Sequence, residues 1–266
     1  MRACLVGPAR AGRTSLDQVR RTALVTGAST GLGRAIVLAL ATAGYDVAAT
    51  EIDPTHLSDL AGAPEFATRR LVPLPLELRE ERSIDAALAG ALDAFDGQLD
   101  VLVNNAAVAL RSPATEVGWA EWDTLMAVNL KGGFFLASRY ARHLLAMGRP
   151  GSVVNIASTH GLVGLAERSV YGIAKGGMVQ MTRMLAIEWA QAGIRVNAVA
   201  PATVMTPSRQ ASLADPAQRQ QMLERIPTRR FPTEAEVAAA VVYLASPAAG
   251  CVTGQVLALD GGLTAA

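Results

Sequence analysis

ALVTGASTGLGRAIVLALATAG, residues 23–44, opens as a short apolar strand, passes through a loop holding Gly27, Gly31 and Gly33, and continues as an aliphatic helix. Glycines let a backbone turn tightly and approach a pyrophosphate, whose charge is met by amide groups at the helix N-terminus. The spacing Gly-x-x-x-Gly-x-Gly is a weaker signal alone than Gly-x-Gly-x-x-Gly. Its place between a first strand and a first helix is the context that phosphate binding requires.

Outward from this stretch, apolar runs alternate with longer helical patterns. Strands are predicted at ALVTG (23–27), DVAAT (46–50), RLVPLPL (70–76), DVLVNN (100–105), GSVVNIAS (151–158), IRVNAVA (194–200) and QVLALD (255–260). Helices are predicted at 32–44, 82–95, 120–147, 170–193 and 233–246. Strands apolar throughout and separated by helices of ten or more residues imply a parallel sheet covered on both faces. The expectation is an α/β fold, one doubly wound domain over 21–266 with a seven-stranded parallel sheet, preceded by a flexible extension over 1–20. A polar insertion after the sixth strand, within 201–232, reads as a helical flap over 205–232, the place where binding lids commonly sit; a plain surface helix is the alternative.

Composition narrows the functional classes. The chain has 266 residues, is 51% hydrophobic and 18% charged, and carries a formal net charge of +1, so it offers no electrostatic footprint for nucleic acid or an anionic membrane. No run approaches the length of a membrane span. The apolar part of residues 1–21 is too short for a signal peptide. Cys4 and Cys251 are the only cysteines and stand in no metal-ligand spacing. The expectation is two free thiols in a reducing cytoplasm and no metal site.

The second strand ends at Glu51, eighteen positions after Gly33. An acid there can accept both hydrogen bonds of an adenosine ribose diol while repelling a 2′-phosphate. No basic residue stands at Ala28, Ser29, Thr30, Ile52 or Asp53, so the sequence favours NAD over NADP. Tyr171 and Lys175 are four apart, on one face of a predicted helix, and Lys175 is one of only two lysines, the other being Lys131. A nearby ammonium is expected to lower the phenol pKa and make Tyr171 a proton donor or acceptor. Thirteen residues upstream, Ser158 closes the fifth strand at the carboxyl edge, placed to hold a substrate oxygen. The opposing reading is a chance Tyr-x-x-x-Lys pair on a solvated helix.

With these residues in place, the sequence resembles the classical short-chain dehydrogenase/reductase family over nearly all of Thr22 to Gly262. The resemblance rests on TGASTGLG (26–33), NNAA (104–107), WDTLMAVNLKG (122–132), the Ser158, Tyr171 and Lys175 set, IRVNAVAPATVMTP (194–207) and VTGQVLALDGG (252–262). It implies a Rossmann fold, a homotetramer and a catalytic tetrad of Asn129, Ser158, Tyr171 and Lys175, with Asn129 supporting a water relay. It also implies a cofactor site built from Gly27, Ser29, Thr30, Gly31, Leu32, Gly33, Glu51, Ile52, Glu77, Leu78, Asn105, Ala106, Ala107, Tyr171, Lys175, Pro201, Ala202, Val204 and Thr206. Ala107 and Ala202 replace glycines usual in the family, and Glu51 and Glu77 replace aspartates. The longer carboxylate puts the adenine contact of Glu77 in question.

Substrate-pocket candidates, by position after strands four to six, are Val108, Thr159, His160, Leu165 and Met205. Arg209, Arg225, Arg229 and Arg230 of the flap could clamp an acid, or be ordinary solvated charges. The implied activity is NAD-dependent hydride transfer to or from a secondary alcohol or ketone, in a sugar, polyol or hydroxy acid. A 3-oxoacyl-carrier-protein reductase and a non-catalytic nucleotide sensor are the alternatives.

Overall fold

The computed structural model describes residues 20–265, so nearly all of the expected extension over 1–20, with Cys4, lies outside the described residues. Seven parallel strands form one sheet in the order β3-β2-β1-β4-β5-β6-β7. They are β1 (Arg21–Thr26), β2 (Tyr45–Glu51), β3 (Leu71–Pro75), β4 (Val101–Asn104), β5 (Gly151–Ile156), β6 (Ile194–Pro201) and β7 (Val256–Leu259). All seven expected strands are present.

Successive residues of a strand face opposite sides of the sheet, and each strand is apolar on both. Leu24, Ala48, Leu102 and Val153 pack with α2 (Glu81–Ala94), α4 (Gly133–Met147) and α5 (Ser169–Trp189). Ala23, Val25, Val47, Val101 and Val103 pack with α1 (Gly31–Thr42) and α8 (Glu234–Ala245). Two buried cores therefore sandwich the sheet, and the alternation along β1 alone decides both. At the edge, Leu76 N donates to Glu51 O at 2.8 Å, so alternate residues 72, 74 and 76 face β2 while Pro73 and Pro75 turn their missing donors outward. Those prolines blunt an otherwise open edge.

Two local features differ from the expected pattern. The helix expected over 120–147 is interrupted: α3 (Trp119–Met126) leads into a π-helical turn, Ala127–Gly132, before α4 begins. The wider turn places buried Asn129 out of the register that a 3.6-residue repeat would give it. After β2, Pro54–Gly62 forms a 3-10 helix on the Asp53 cap, which accepts from Thr55 N at 2.9 Å, and buries Leu57 and Leu60. Asp53 as cap and Pro54 at the first helical position start it. The expected flap consists of α6 (Pro207–Ser212) and α7 (Pro216–Glu224), each begun by a cap residue followed by proline, Thr206-Pro207 and Asp215-Pro216. Among the described residues, no helix is long and apolar enough to cross a membrane.

Candidate active site

The strand order reverses between β1 and β4, and the loops leaving their carboxyl ends diverge there. The first is the glycine loop. Gly27 turns the chain at φ +65, and a Cβ on Gly33 would stand 1.9 Å from Gly27 O and 2.6 Å from Asn105 Nδ2. Asn105 Nδ2 donates to Thr26 O at 2.8 Å and Gly27 O at 2.9 Å, tying the β4 exit to this loop. The cap residue of α1, Thr30, makes no side-chain cap bond, so the N–H groups of the first turn stay open to a ligand.

A cavity of about 570 Å³ opens on this loop. Gly27, Ser29, Thr30, Gly31, Leu32, Gly33, Glu51, Ile52, Glu77, Leu78, Asn105, Ala106, Ala107 and Thr206 line it, as do Arg79 and Thr124, which sequence reasoning passed over. Glu51 accepts from Ser29 Oγ at 2.6 Å through Oε2 and from Ile52 N at 3.0 Å through Oε1. Glu77 turns back on Arg79, accepting from its guanidinium at 2.6 Å and its backbone N at 2.9 Å. The Arg79 hydrogen bond holds the Glu77 carboxyl below its ordinary range despite partial burial. The doubt over an adenine contact from Glu77 thus has a physical form, since its extra methylene lets the carboxylate reach its own turn. A glycine cradle closed to Cβ atoms, an uncapped helix start and a carboxylate at the end of β2 fit a dinucleotide.

Ser158, Thr159 and His160 follow β5 at the same edge, where Ser158 Oγ accepts from His160 N at 3.2 Å. A Cβ on Gly161 would meet the backbone of Lys175 at 2.7 Å, so this loop lies directly on α5. Tyr171, half-buried on α5, hydrogen-bonds Ser158, and its ring meets His160 edge-on with centroids 6.1 Å apart. Lys175 is 1% exposed and donates from Nζ to Ile156 O at 2.7 Å, with Nζ 5.8 Å from the Tyr171 ring centre. Burial pulls its pKa down to about 8. Asn129, on the π turn, is 0% exposed; its Oδ1 accepts from Val108 N and its Nδ2 donates to Val108 O, both at 2.8 Å.

One expectation is corrected here. Tyr171 was expected below its ordinary range on account of Lys175, but burial raises it, and what pulls it back is the Ser158 hydrogen bond and the charges of Arg168 and Arg209. The ammonium is aimed at a backbone carbonyl instead, which keeps it from stabilising the phenolate directly.

A second cavity, of about 650 Å³, lies beyond His160. Thr159, His160 and Leu165 line it as expected positions for substrate, and Ala202, expected on the cofactor, lines it too. Val108 lines the glycine-loop cavity instead. Met205 lines neither; it sits in a third hollow with Arg229 and Arg230. Pro201 and Val204 are buried, their side chains outside both cavities. Of the flap arginines, Arg209 and Arg225 reach the second cavity, whereas Arg230 pairs with Glu236 at 2.6 Å and Arg229 donates to Glu224 O at 2.5 Å. Arg111 and Arg168 complete that wall and were missed. Arg168 lies just before the Tyr-x-x-x-Lys pair, but only the folded edge shows which way that segment faces. Cys251 is exposed with a free thiol, and among the described residues no cluster of His, Cys, Asp and Glu could hold a metal.

Residues 27–264 match the family model described as enoyl-(acyl carrier protein) reductase. The 2-dehydro-3-deoxy-D-gluconate 5-dehydrogenase of Escherichia coli K12 is 37% identical over 91% of this chain and 94% of its own. The chain belongs to the classical short-chain dehydrogenase/reductase family. D-threitol dehydrogenase of Mycolicibacterium smegmatis is 38% identical over 92% of this chain and 93% of its own. The crystal structure of a gluconate 5-dehydrogenase from Burkholderia cenocepacia J2315, in complex with NADP and tartrate, superposes with a TM-score of 0.86 at 32% identity, covering 92% of this chain and 96% of that one. As a short-chain dehydrogenase/reductase, the protein is an oxidoreductase that uses a nicotinamide cofactor on a secondary alcohol or its ketone.

Proposed function

We propose that the protein is an NAD-dependent dehydrogenase of a secondary alcohol in a sugar, polyol or hydroxy acid. The observation that carries this reading is the convergence of Ser158, Tyr171 and Lys175 at the carboxyl end of β5, on two elements in direct backbone contact. The nicotinamide, when bound, accepts the hydride from the alcohol carbon or returns it to the ketone. Tyr171 exchanges the proton at the substrate oxygen, and Ser158 holds that oxygen by a hydrogen bond. Lys175 has donors beyond the one on Ile156 O to hold the nicotinamide ribose. Asn129, with both amide atoms on Val108, fixes the β4 exit that forms the cofactor wall and leaves a water relay to its backbone.

Glu51 supports NAD, because a carboxylate at the end of β2 receives the ribose diol and repels a 2′-phosphate. Several solved relatives that hold NADP, the Burkholderia one among them, weigh against it. The protein is further proposed to act in the cytoplasm, on its cysteine usage, and as a homotetramer. Exposed Phe134, Phe135 and Met147 on α4 and Ile173, Met184 and Ile187 on α5 give two apolar faces that self-association would cover.

The test is a panel of polyols, sugars, hydroxy acids and a 3-oxoacyl thioester, each with NAD(H) and NADP(H), followed by cofactor absorbance. Turnover confined to the thioester would replace this reading with the acyl-carrier one. Light scattering that returned a monomer would overturn the tetramer.

A further inference from the structure

Three contacts clasp residues 110–112 of the loop leaving β4 to Glu167 and Arg168 at the start of α5. Arg168 donates from Nη1 to Leu110 O at 2.9 Å, Arg111 pairs through Nε with Glu167 at 2.6 Å, and Ser112 N donates to Glu167 O at 3.0 Å. Glu167 stands at φ +62, a left-handed conformation that residues with a Cβ adopt rarely, so the clasp holds a backbone shape the chain would not choose by itself. Arg168 is the cap residue of α5, and its carbonyl accepts from Gly172 N at 2.7 Å, one position past Tyr171. Its half-buried side chain ends on the Leu110 carbonyl, and the Leu110 side chain packs in turn with Val170, Ala174 and Tyr171. A backbone carbonyl anchors a guanidinium without cancelling its charge.

We propose that Arg168 is a positioning residue for proton transfer: it seats the start of α5 on the loop leaving β4 and keeps a fixed positive charge beside Tyr171, favouring the phenolate that an alcohol must meet to be oxidised. This rests on the alcohol-dehydrogenase reading and gives Arg168 the part that Lys175, with its ammonium on Ile156 O, leaves open in that site. In the oxidation the alcohol proton passes to the Tyr171 oxygen while the carbinol hydride leaves for the nicotinamide, so the phenolate fraction sets the rate at low pH. The groups around Tyr171 fit this division. Burial raises the phenol, and against it act the Ser158 hydrogen bond, then the charge of Arg168, then that of Arg209 on α6. His160, from the loop after β5, is pushed down to about 4 by burial first and then by arginine charges, so its imidazole is neutral at physiological pH and adds no charge.

The test is the pH profile of kcat/KM for oxidation, at saturating oxidised cofactor, of whichever of threitol, xylitol and sorbitol is turned over fastest. Arg168→Gln keeps a donor for Leu110 O and removes the charge, and its acid limb is expected to move up by about half to one pH unit. Arg168→Lys keeps the charge and loses the planar fork, and its limb is expected to stay at the wild-type position even where the absolute rate falls. A purely structural role would lower kcat/KM of both variants by one factor at every pH with the limb in place, and that result overturns the proposal. Difference absorbance between each protein and its Tyr171→Phe counterpart reads the same ionisation without turnover, and it too is expected to rise in Arg168→Gln. A rise there with no alcohol turned over by any of the proteins sinks the dehydrogenase reading and leaves the charge on Tyr171 standing. An unmoved titration in Arg168→Gln overturns the proposal, whatever the turnover.

Discussion

Lys175 holds the carbonyl of Ile156 at 2.7 Å, although it stands one helical turn from Tyr171 with its ammonium 5.8 Å from that ring. The lysine thus locks the end of β5 to α5, and it does so as a buried cation whose pKa burial lowers to about 8. An unfolded lysine titrates near 10.4, so between about pH 8 and 10 the unfolded chain binds more protons than the native one and stability from this group rises with pH. Relative to Lys175→Met, the wild type is expected to gain stability across that window, with a slope of up to about 1.4 kcal/mol per pH unit. Urea unfolding at a series of pH values checks it, and parallel curves for the two proteins would rule it out.

Replacing Tyr171 by Phe removes the hydroxyl and keeps the ring that packs on His160 and beside Val170 and Ala174. Turnover is expected to fall by ~10²–10⁴, the usual contribution of a positioned acid or base, with cofactor affinity changed little. Burial raises this phenol in the free protein, so the ionisation seen in the pH profile should move down once cofactor is bound and its positive nicotinamide lies nearby. Comparing the acid limb of kcat/KM for alcohol oxidation at saturating oxidised cofactor with an absorbance titration of the free protein tests that order.

Glu51 is held by Ser29 at 2.6 Å, which leaves its carboxylate fixed across the cavity. Glu51→Gln keeps the size and removes the charge, and the ratio of NADP to NAD affinity should rise by about tenfold, one unit of like-charge repulsion partly screened by solvent. Fluorescence titration with NADH and NADPH reads the ratio directly. No change in it would mean that Glu51 does not set the preference.

How much of this was legible in the sequence follows from what each feature depends on. The strands and the sheet were readable because burial on both faces leaves uninterrupted apolar runs such as Val101–Val103, a property of local composition. The glycine loop was readable because its backbone geometry excludes a side chain at Gly33. The π turn at Asn129 left no mark, since one extra residue in a helix does not disturb an apolar pattern enough to be seen. Of the arginine wall, only Arg209 and Arg225 of the flap could be named in advance, because Arg111 and Arg168 join them from separate segments of the same edge. The direction of the Tyr171 shift was misread for a related reason: spacing gave the proximity of Lys175, whereas the target of its ammonium is set by β5, nineteen positions away.

Asn129 offers the sharpest separation of structure from chemistry. Both of its amide atoms are on the Val108 backbone at 2.8 Å, in a fully buried setting. Asn129→Ala leaves Val108 N and O without those partners, at a cost of about 1–3 kcal/mol for each buried group that water cannot reach. Asn129→Asp keeps the acceptor for Val108 N but sets a carboxylate oxygen against Val108 O, and it is expected to be at least as damaging. Both variants should lower the thermal midpoint and, because Val108 lines the glycine-loop cavity, raise the KM for cofactor. If Asn129→Ala instead kept stability and cofactor KM while losing kcat alone, the residue would act in proton transfer and not through the β4 exit.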